Sequence, residues 1–322
     1  MLRLILLFAT LVVMCMGAQA QSDYPNKPIR LIVPYVAGGA ADITARVVAQ
    51  KMTESMGQSV VVENKPGANG MLGTDIVSKS APDGYTLLLA ASGPIVVNPV
   101  LYAKVPYDAV NDLAPVSQIT SFQYAVVVTT SSPIQSMNEL IAMAKAKPKQ
   151  VSYGSTGIGG GGHLAGELLS QITGAQLTHI PYKGAAPALA DLLGGQLTFT
   201  FEPIVTAGPL VKAGKLRVFA VSGPKRASSL PQLPTLNELG FTGFNITQFQ
   251  GVLVPAKTDP AIIARLHQEI VKASKSMEAG RRLVDEGGNE IIASSPAEFA
   301  RQIKSDLALY GKLIKDAAIK PE

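Results

Sequence analysis

Short β-branched runs alternate with helical stretches along this chain, and two long extended segments, 115–130 and 244–254, break the alternation. Such alternation builds an α/β fold, because each strand leaves an apolar face that a neighbouring helix covers. Strands are expected at 29–33, 59–63 and 85–90, with helices at 41–56 and 71–79 between them. A second cycle carries strands at 151–153, 177–180, 197–201 and 216–221, with helices at 162–172 and 185–193. Two extended segments separating two cycles mean that the chain crosses into a second unit and returns. One lobe is therefore discontinuous, formed by 21–122 and 248–322, and the other is 123–247. A hinge of this kind lets two lobes close on a ligand.

The helix starts are written in cap chemistry. Ser136-Met137-Asn138-Glu139 is a capping box, Asp259-Pro260 pairs an N-cap with proline at the first helical position, and Ser295-Pro296-Ala297-Glu298 combines both devices. The last of these opens a helix to about residue 315 whose Phe299, Ile303, Leu307, Tyr310 and Ile314 fall on one face.

Residues 1–20 read as an export signal. Arg3 supplies the positive start, 4–17 form an apolar run too short to span a bilayer, and Ala18-Gln19-Ala20 is a small-x-small cleavage site. Cleavage after Ala20 would place the mature chain in the periplasm. Cys15, the sole cysteine, leaves with that segment, so disulfides and thiolate metal sites are excluded. Val12-Val13-Met14 lack the small side chains that precede a lipid-attached cysteine.

The formal charge of +5 comes from scattered lysines and arginines. Nucleic-acid binding would need a clustered basic face with stacking aromatics, and the sequence has neither. His163, His179 and His267 have no metal-ligand spacing, no Gly-x-Ser-x-Gly elbow occurs, and no thiol nucleophile remains. No metal and no cofactor are expected.

Four strand-end loops carry the candidate chemistry. Pro34-Tyr35-Val36-Ala37-Gly38-Gly39-Ala40-Ala41-Asp42 runs from a strand into a helix. Free N–H groups at that start, with glycine allowing close approach, form an anion site without a cationic side chain; a plain turn uses the same glycines. Asp42 complements the helix dipole and can pair with Arg46 four residues on. The second loop, Tyr153-Gly154-Ser155-Thr156-Gly157-Ile158-Gly159-Gly160-Gly161-Gly162-His163, is nearly all glycine, with two hydroxyls to help wrap a carboxylate. It lacks the Gly-Lys-Ser/Thr ending of a P-loop, which argues against an NTPase. His163 reads as a structural imidazole or a ligand contact. Pro181-Tyr182-Lys183-Gly184 and Phe201-Glu202-Pro203 end further strands, and ligands of open α/β sheets lie beyond such ends. Lys183 reads as a solvated lysine before a counter-charge, whereas Glu202 repels an anion unless protonated or paired with an amine. Ser92-Gly93 and Asn98-Pro99 add small polar groups after a strand.

At these residues the chain resembles the Bug family, the extracytoplasmic solute receptors of tripartite tricarboxylate transporters. Tyr24-Pro25-Asn26-Lys27-Pro28-Ile29-Arg30, the loop from Pro34 to Arg46, Val62-Glu63-Asn64-Lys65-Pro66-Gly67-Ala68-Asn69-Gly70 and Pro82-Asp83-Gly84-Tyr85-Thr86-Leu87 look like its signatures. So do the second glycine loop, Gly214-Lys215-Leu216-Arg217 and Leu233-Pro234-Thr235-Leu236-Asn237-Glu238-Leu239-Gly240. The resemblance covers the mature chain. It implies a two-lobed periplasmic-binding-protein (Venus-flytrap) fold, each lobe a mixed sheet flanked by helices. It also implies a monomer that takes a small organic acid to the membrane subunits of a transporter.

Carried onto this sequence, the resemblance gives ligand contacts at Val36, Ala37, Gly38, Gly39, Ala40 and Asp42 on one side. Ser155, Thr156, Gly157, Gly159, Gly160 and His163 face them, with Ser92, Asn98 and Gly184 as secondary contacts and Glu202 at the cleft. Glu202 stands where the family usually has aspartate, and Phe249-Gln250-Gly251 stands where tryptophan or tyrosine commonly precedes x-glycine. Both departures bear on ligand identity. A receptor presenting its ligand to a sensor protein would use the same cleft, and so would a periplasmic enzyme; neighbouring genes and turnover of a bound ligand distinguish these.

Overall fold

Each expected run becomes an element whose ends move by at most three residues, the largest shift being the start of the second extended segment from 244 to 247. The computed structural model describes residues 24–316 and 318–321; the signal expected at 1–20, with Cys15, lies outside them. The first cycle is β1 (Ile29–Val33), α1 (Ala40–Met56), β2 (Val60–Asn64), α2 (Met71–Ser78), β3 (Thr86–Ala91) and a short α3 (Asn98–Leu101). The 17-residue β4 (Leu113–Thr129) follows. Next come α4 (Met137–Ala146), β5 (Ser152–Ser155), α5 (Gly161–Thr173), β6 (Thr178–Pro181), α6 (Ala185–Leu193), β7 (Phe199–Pro203), α7 (Ile204–Lys212) and β8 (Leu216–Val221). The chain returns through β9 (Thr247–Pro255) to α8 (Pro260–Ser274), β10 (Glu290–Ile291) and α9 (Pro296–Asp316).

The sheet explains why two extended segments were needed. β1 pairs in parallel with β2 and β3, and β9 runs antiparallel between β3 and β4. β4 keeps β9 as a partner as far as Gln123, and from Tyr124 onward pairs with β7 and β8. β5 lies parallel to β6 and β7. The result is an α/β fold of two lobes, each a mixed sheet flanked by helices, sharing one long strand. β3 is buried at every position, as a strand covered on both faces must be.

The caps act as read. Ser136 accepts the Glu139 N–H at 3.2 Å, while Glu139 reaches back to the N–H of Gln135 instead of that of Ser136. Ser295 and Glu298 form the full reciprocal box. On α9, Phe299, Ile303, Tyr310 and Ile314 are buried and Leu307 is half-buried. Phe299 meets Phe249 edge-on at 5.1 Å, and Gly251 makes room for it, since a Cβ there would stand 2.4 Å from Phe299 Cζ. The two-residue β10 is too short for any periodicity to announce; it exists through its pairing with Thr120 and Ser121 of β4.

Candidate functional site

The first loop ends in a helix start with no side-chain cap. Gly39 is the N-cap of α1, in extended backbone at φ −81° and ψ 170°. The opening N–H groups of α1 therefore lack intrahelical acceptors and face outward. Asp42 is not free to meet a ligand, being 3% exposed. Its Oδ2 accepts the Gly38 N–H and the Arg46 Nε–H, both at 2.9 Å, and its Oδ1 accepts from Asn64 Nδ2 at 3.0 Å. Burial works to raise its pKa, but these donors outweigh burial and the carboxylate is held below its usual range. Asp42 thus fixes the left-handed turn at Gly38 (φ 81°).

The second loop is stapled by two imidazoles. Gly159 donates its N–H to His163 Nδ1 at 3.0 Å, which leaves the ring proton on Nε2, 3.8 Å from Glu167 Oε1. His179 Nε2 lies 2.7 Å from Ser155 Oγ, which also bonds the backbone of Gly157 in both directions. The two rings stack with centroids 4.1 Å apart. Burial pushes His163 down to about 4, and burial with the neighbouring imidazole pushes His179 down to about 3, so both are neutral at pH 7. Ser155 beside His179 has the look of a nucleophile and its base. Ser155 is, however, fully buried and its hydroxyl is committed to the loop.

Between the loops lies a cavity of about 540 Å³. Of the residues expected from sequence, Val36, Gly39, Ala40, Thr156, Gly157, Gly160 and Gly184 line it. Ala37 and Gly38 are exposed at the loop tip, off the lining. Asp42, Ser155, Gly159 and His163 stand behind the lining as its supports. So do two others. Ser92 Oγ accepts the Phe249 N–H at 3.0 Å and ties β3 to β9. Asn98 accepts from Asn69 Nδ2 at 2.9 Å and donates to Asn69 O at 3.1 Å. Lys183 is exposed at the lining and makes no ion pair among the described residues.

Several lining residues had no signal as site residues in the sequence. Asn69 reaches the cavity from a loop in which Gly67, Ala68, Asn69 and Gly70 all have positive φ. Asn98 holds that left-handed turn in place. The floor comes from the crossing strands: Phe122 and Tyr124 on β4, Gln248 and Gln250 on β9, with Phe122 directly opposite Gln248. Gln250 Oε1 accepts from the hydroxyls of Thr44 and Thr120, and no hydrogen bond from its amide N–H₂ is present among the described residues. The first turn of α5 sits tightly on this floor, because a Cβ at Gly161 would stand 2.4 Å from Tyr124 Oη and 2.7 Å from Gln248 Cδ.

Glu202 lies fully buried just outside the lining, behind Thr206. Thr206 Oγ1 is 2.8 Å from Pro203 O and 3.1 Å from Glu202 Oε2. Thr200 Oγ1 is 2.8 Å from Gly154 O and 3.5 Å from Glu202 Oε1. Each hydroxyl has one proton and a closer carbonyl to give it to, so the carboxyl keeps its own. Burial, opposed by the two hydroxyls, pushes its pKa up to about 8. The acid is neutral at pH 7 and puts no charge behind an anion site. A raised folded pKa means the stability that Glu202 contributes is fully present below pH 4.5 and is lost as pH rises through 8, with a limiting slope of about 1.4 kcal/mol per pH unit. Glu202→Gln should flatten the fall in Tm between pH 6 and 9 seen by scanning calorimetry. Parallel wild-type and mutant profiles would show that Glu202 is ionised throughout.

Among the described residues no group of three or more His, Cys, Asp or Glu could hold a metal ion, and no helix is long and apolar enough to cross a membrane. The Tripartite tricarboxylate transporter family receptor model matches residues 44–319. Protein BugT of Bordetella pertussis is 36% identical over 298 residues, covering 92% of this chain and 91% of its own. The solved structure of R. palustris Rpa4515 with adipate superposes with a TM-score of 0.89 at 33% identity, over 93% of this chain and 100% of that one. MatC from Rhodopseudomonas palustris with bound malate gives 0.85 at 25% identity, over 90% and 100%. With its two-lobed fold and facing glycine loops, the chain belongs to the tripartite tricarboxylate transporter receptor family.

Proposed function

We propose that this chain is a periplasmic receptor that captures a small carboxylate between its lobes and delivers it to the membrane subunits of a tripartite tricarboxylate-type transporter. One observation carries the reading: the uncapped starts of α1 and α5, one from each lobe, open onto the same cavity. N–H groups at two helix starts can hold one carboxylate and are drawn together by it, so binding and closure become one event. The adipate and malate held by the related receptors support that ligand class. The lobes are 21–122 with 248–322, and 123–247; the signal is removed after Ala20; the receptor acts as a monomer. A receptor without enzymatic activity accords with Ser155 and His179 being committed to loop structure.

A thermal-shift screen of monocarboxylates, dicarboxylates and their amides tests the proposal. At a hundredfold excess over Kd, a ligand that binds only the folded state stabilises by about 2.7 kcal/mol, which raises Tm by roughly 5 °C. Flat melting curves with every acid would refute carboxylate binding.

A further inference from the structure

Aromatic residues are 6% of the chain, yet Tyr35, Tyr102, Phe122, Tyr124 and Tyr182 all line this one cavity. We infer, resting on the carboxylate reading, that the preferred ligand is a monocarboxylate with an uncharged aromatic body, held by its single carboxylate at α1 and α5 with its ring among these side chains.

Four helix starts approach the cavity, none with a side-chain cap, but those of α6 and α7 are crowded by neighbouring side chains. α6 begins at Gly184, which is pressed against Val36: a Cβ there would stand 2.4 Å from Val36 Cγ2. α7 begins behind Pro203, with the Glu202 carboxyl and Thr206 hydroxyl paired at its start. The starts of α1 and α5 are the uncrowded pair, one from each lobe, and together they hold one carboxylate. A second carboxylate would need its own donors or a cation, because burying an unpaired one costs several kcal/mol. Lys183 is the single charged residue of the lining, and it is exposed.

The remaining polar groups of the floor are neutral. Tyr124 is 4% exposed, and no hydrogen bond to its hydroxyl is present among the described residues. Among the described residues Gln248 Nε2 is buried without a hydrogen-bond partner within bonding geometry. The Tyr182 hydroxyl donates to Asp191 Oδ2 at 2.6 Å, which turns the phenol's polar end toward a protein partner. Ring faces and neutral donors suit an aromatic ring with at most a hydroxyl or carbonyl on it. The size agrees: about 540 Å³ lies within the roughly 300–1,000 Å³ of sites that enclose drug-sized molecules, and a four-carbon diacid would leave most of it to water.

Titration calorimetry of the purified protein with benzoate, phenylacetate, phenylacetamide, succinate and adipate provides the test. The expected result is that benzoate or phenylacetate binds at least tenfold more tightly than either diacid, with no detectable heat from the amide. Succinate or adipate binding as tightly as both aryl acids would overturn the aromatic assignment and leave the carboxylate reading intact. Binding of phenylacetamide as tightly as phenylacetate would overturn the role of the carboxylate in both. Silence from all four acids would refute the carboxylate reading itself, and the inference with it.

Discussion

Gly39→Val should lower carboxylate affinity at least a hundredfold in titration calorimetry while keeping Tm within about 3 °C of wild type, the cost expected of a weakened cap. The separation follows from the geometry of one residue. Gly39 has φ −81° and ψ 170°, which any residue adopts, and the nearest atom to a new Cβ is Val36 O at an ordinary 3.6 Å. Folding therefore does not need glycine here. The cavity does, because Gly39 lies on its lining at the mouth of α1. An isopropyl group holds the carboxylate away from the first N–H groups, and a hundredfold loss corresponds to about 2.8 kcal/mol, close to one charged hydrogen bond. Gly38 makes the contrast. Its φ of 81° requires glycine for the turn itself, so Gly38→Val would lose stability and affinity together. Affinity retained within threefold in Gly39→Val would remove this loop from the site.

Much of this site is legible in the sequence because backbone does the work. A strand running into a helix through glycine leaves N–H groups open whatever ligand they meet, and residues 34–42 and 153–163 show that local pattern. The two cycles and the two crossing segments are legible for the same reason, since each needs only local periodicity. The floor is not. Phe122 and Gln248 face the cavity because β4 and β9, more than a hundred residues apart, pair in a register that shifts twice along its length, and no local pattern specifies that pairing. Asn69 is hidden in a similar way, since its left-handed turn depends on Asn98. Asp42, Ser92 and Asn98 show a further limit. A short polar side chain after a strand can touch a ligand or tie down the loop that does, and only the bonds distinguish the two. His163 and His179 have no shared motif, yet they stack to clasp both ends of one loop.

Closure itself rests on a close approach that a double-mutant cycle can isolate. Gly184 of one lobe lies against Val36 of the other, and a Cβ at Gly184 would stand 2.4 Å from Val36 Cγ2. Gly159 approaches Asn69 and Leu101 in the same manner, with a Cβ 2.9 Å from Leu101 Cδ2. Gly184→Ala should therefore prop the cleft open and weaken carboxylate binding at least tenfold. The substitution has a second effect. Gly184 sits at φ 142°, where an alanine is strained by about 1–3 kcal/mol within its own lobe, and this part appears in Tm. Val36→Ala removes the opposing methyl and should cost less than threefold in affinity alone, since the ligand is held by backbone. In the double mutant the clash is gone while the local strain stays. Affinity should return to within threefold of Val36→Ala, a coupling of about 0.7 kcal/mol or more between two residues on opposite lobes, whereas the Tm deficit of Gly184→Ala should persist. If the two losses in affinity simply add, the contact at Val36 and Gly184 plays no part in closing the receptor on its ligand.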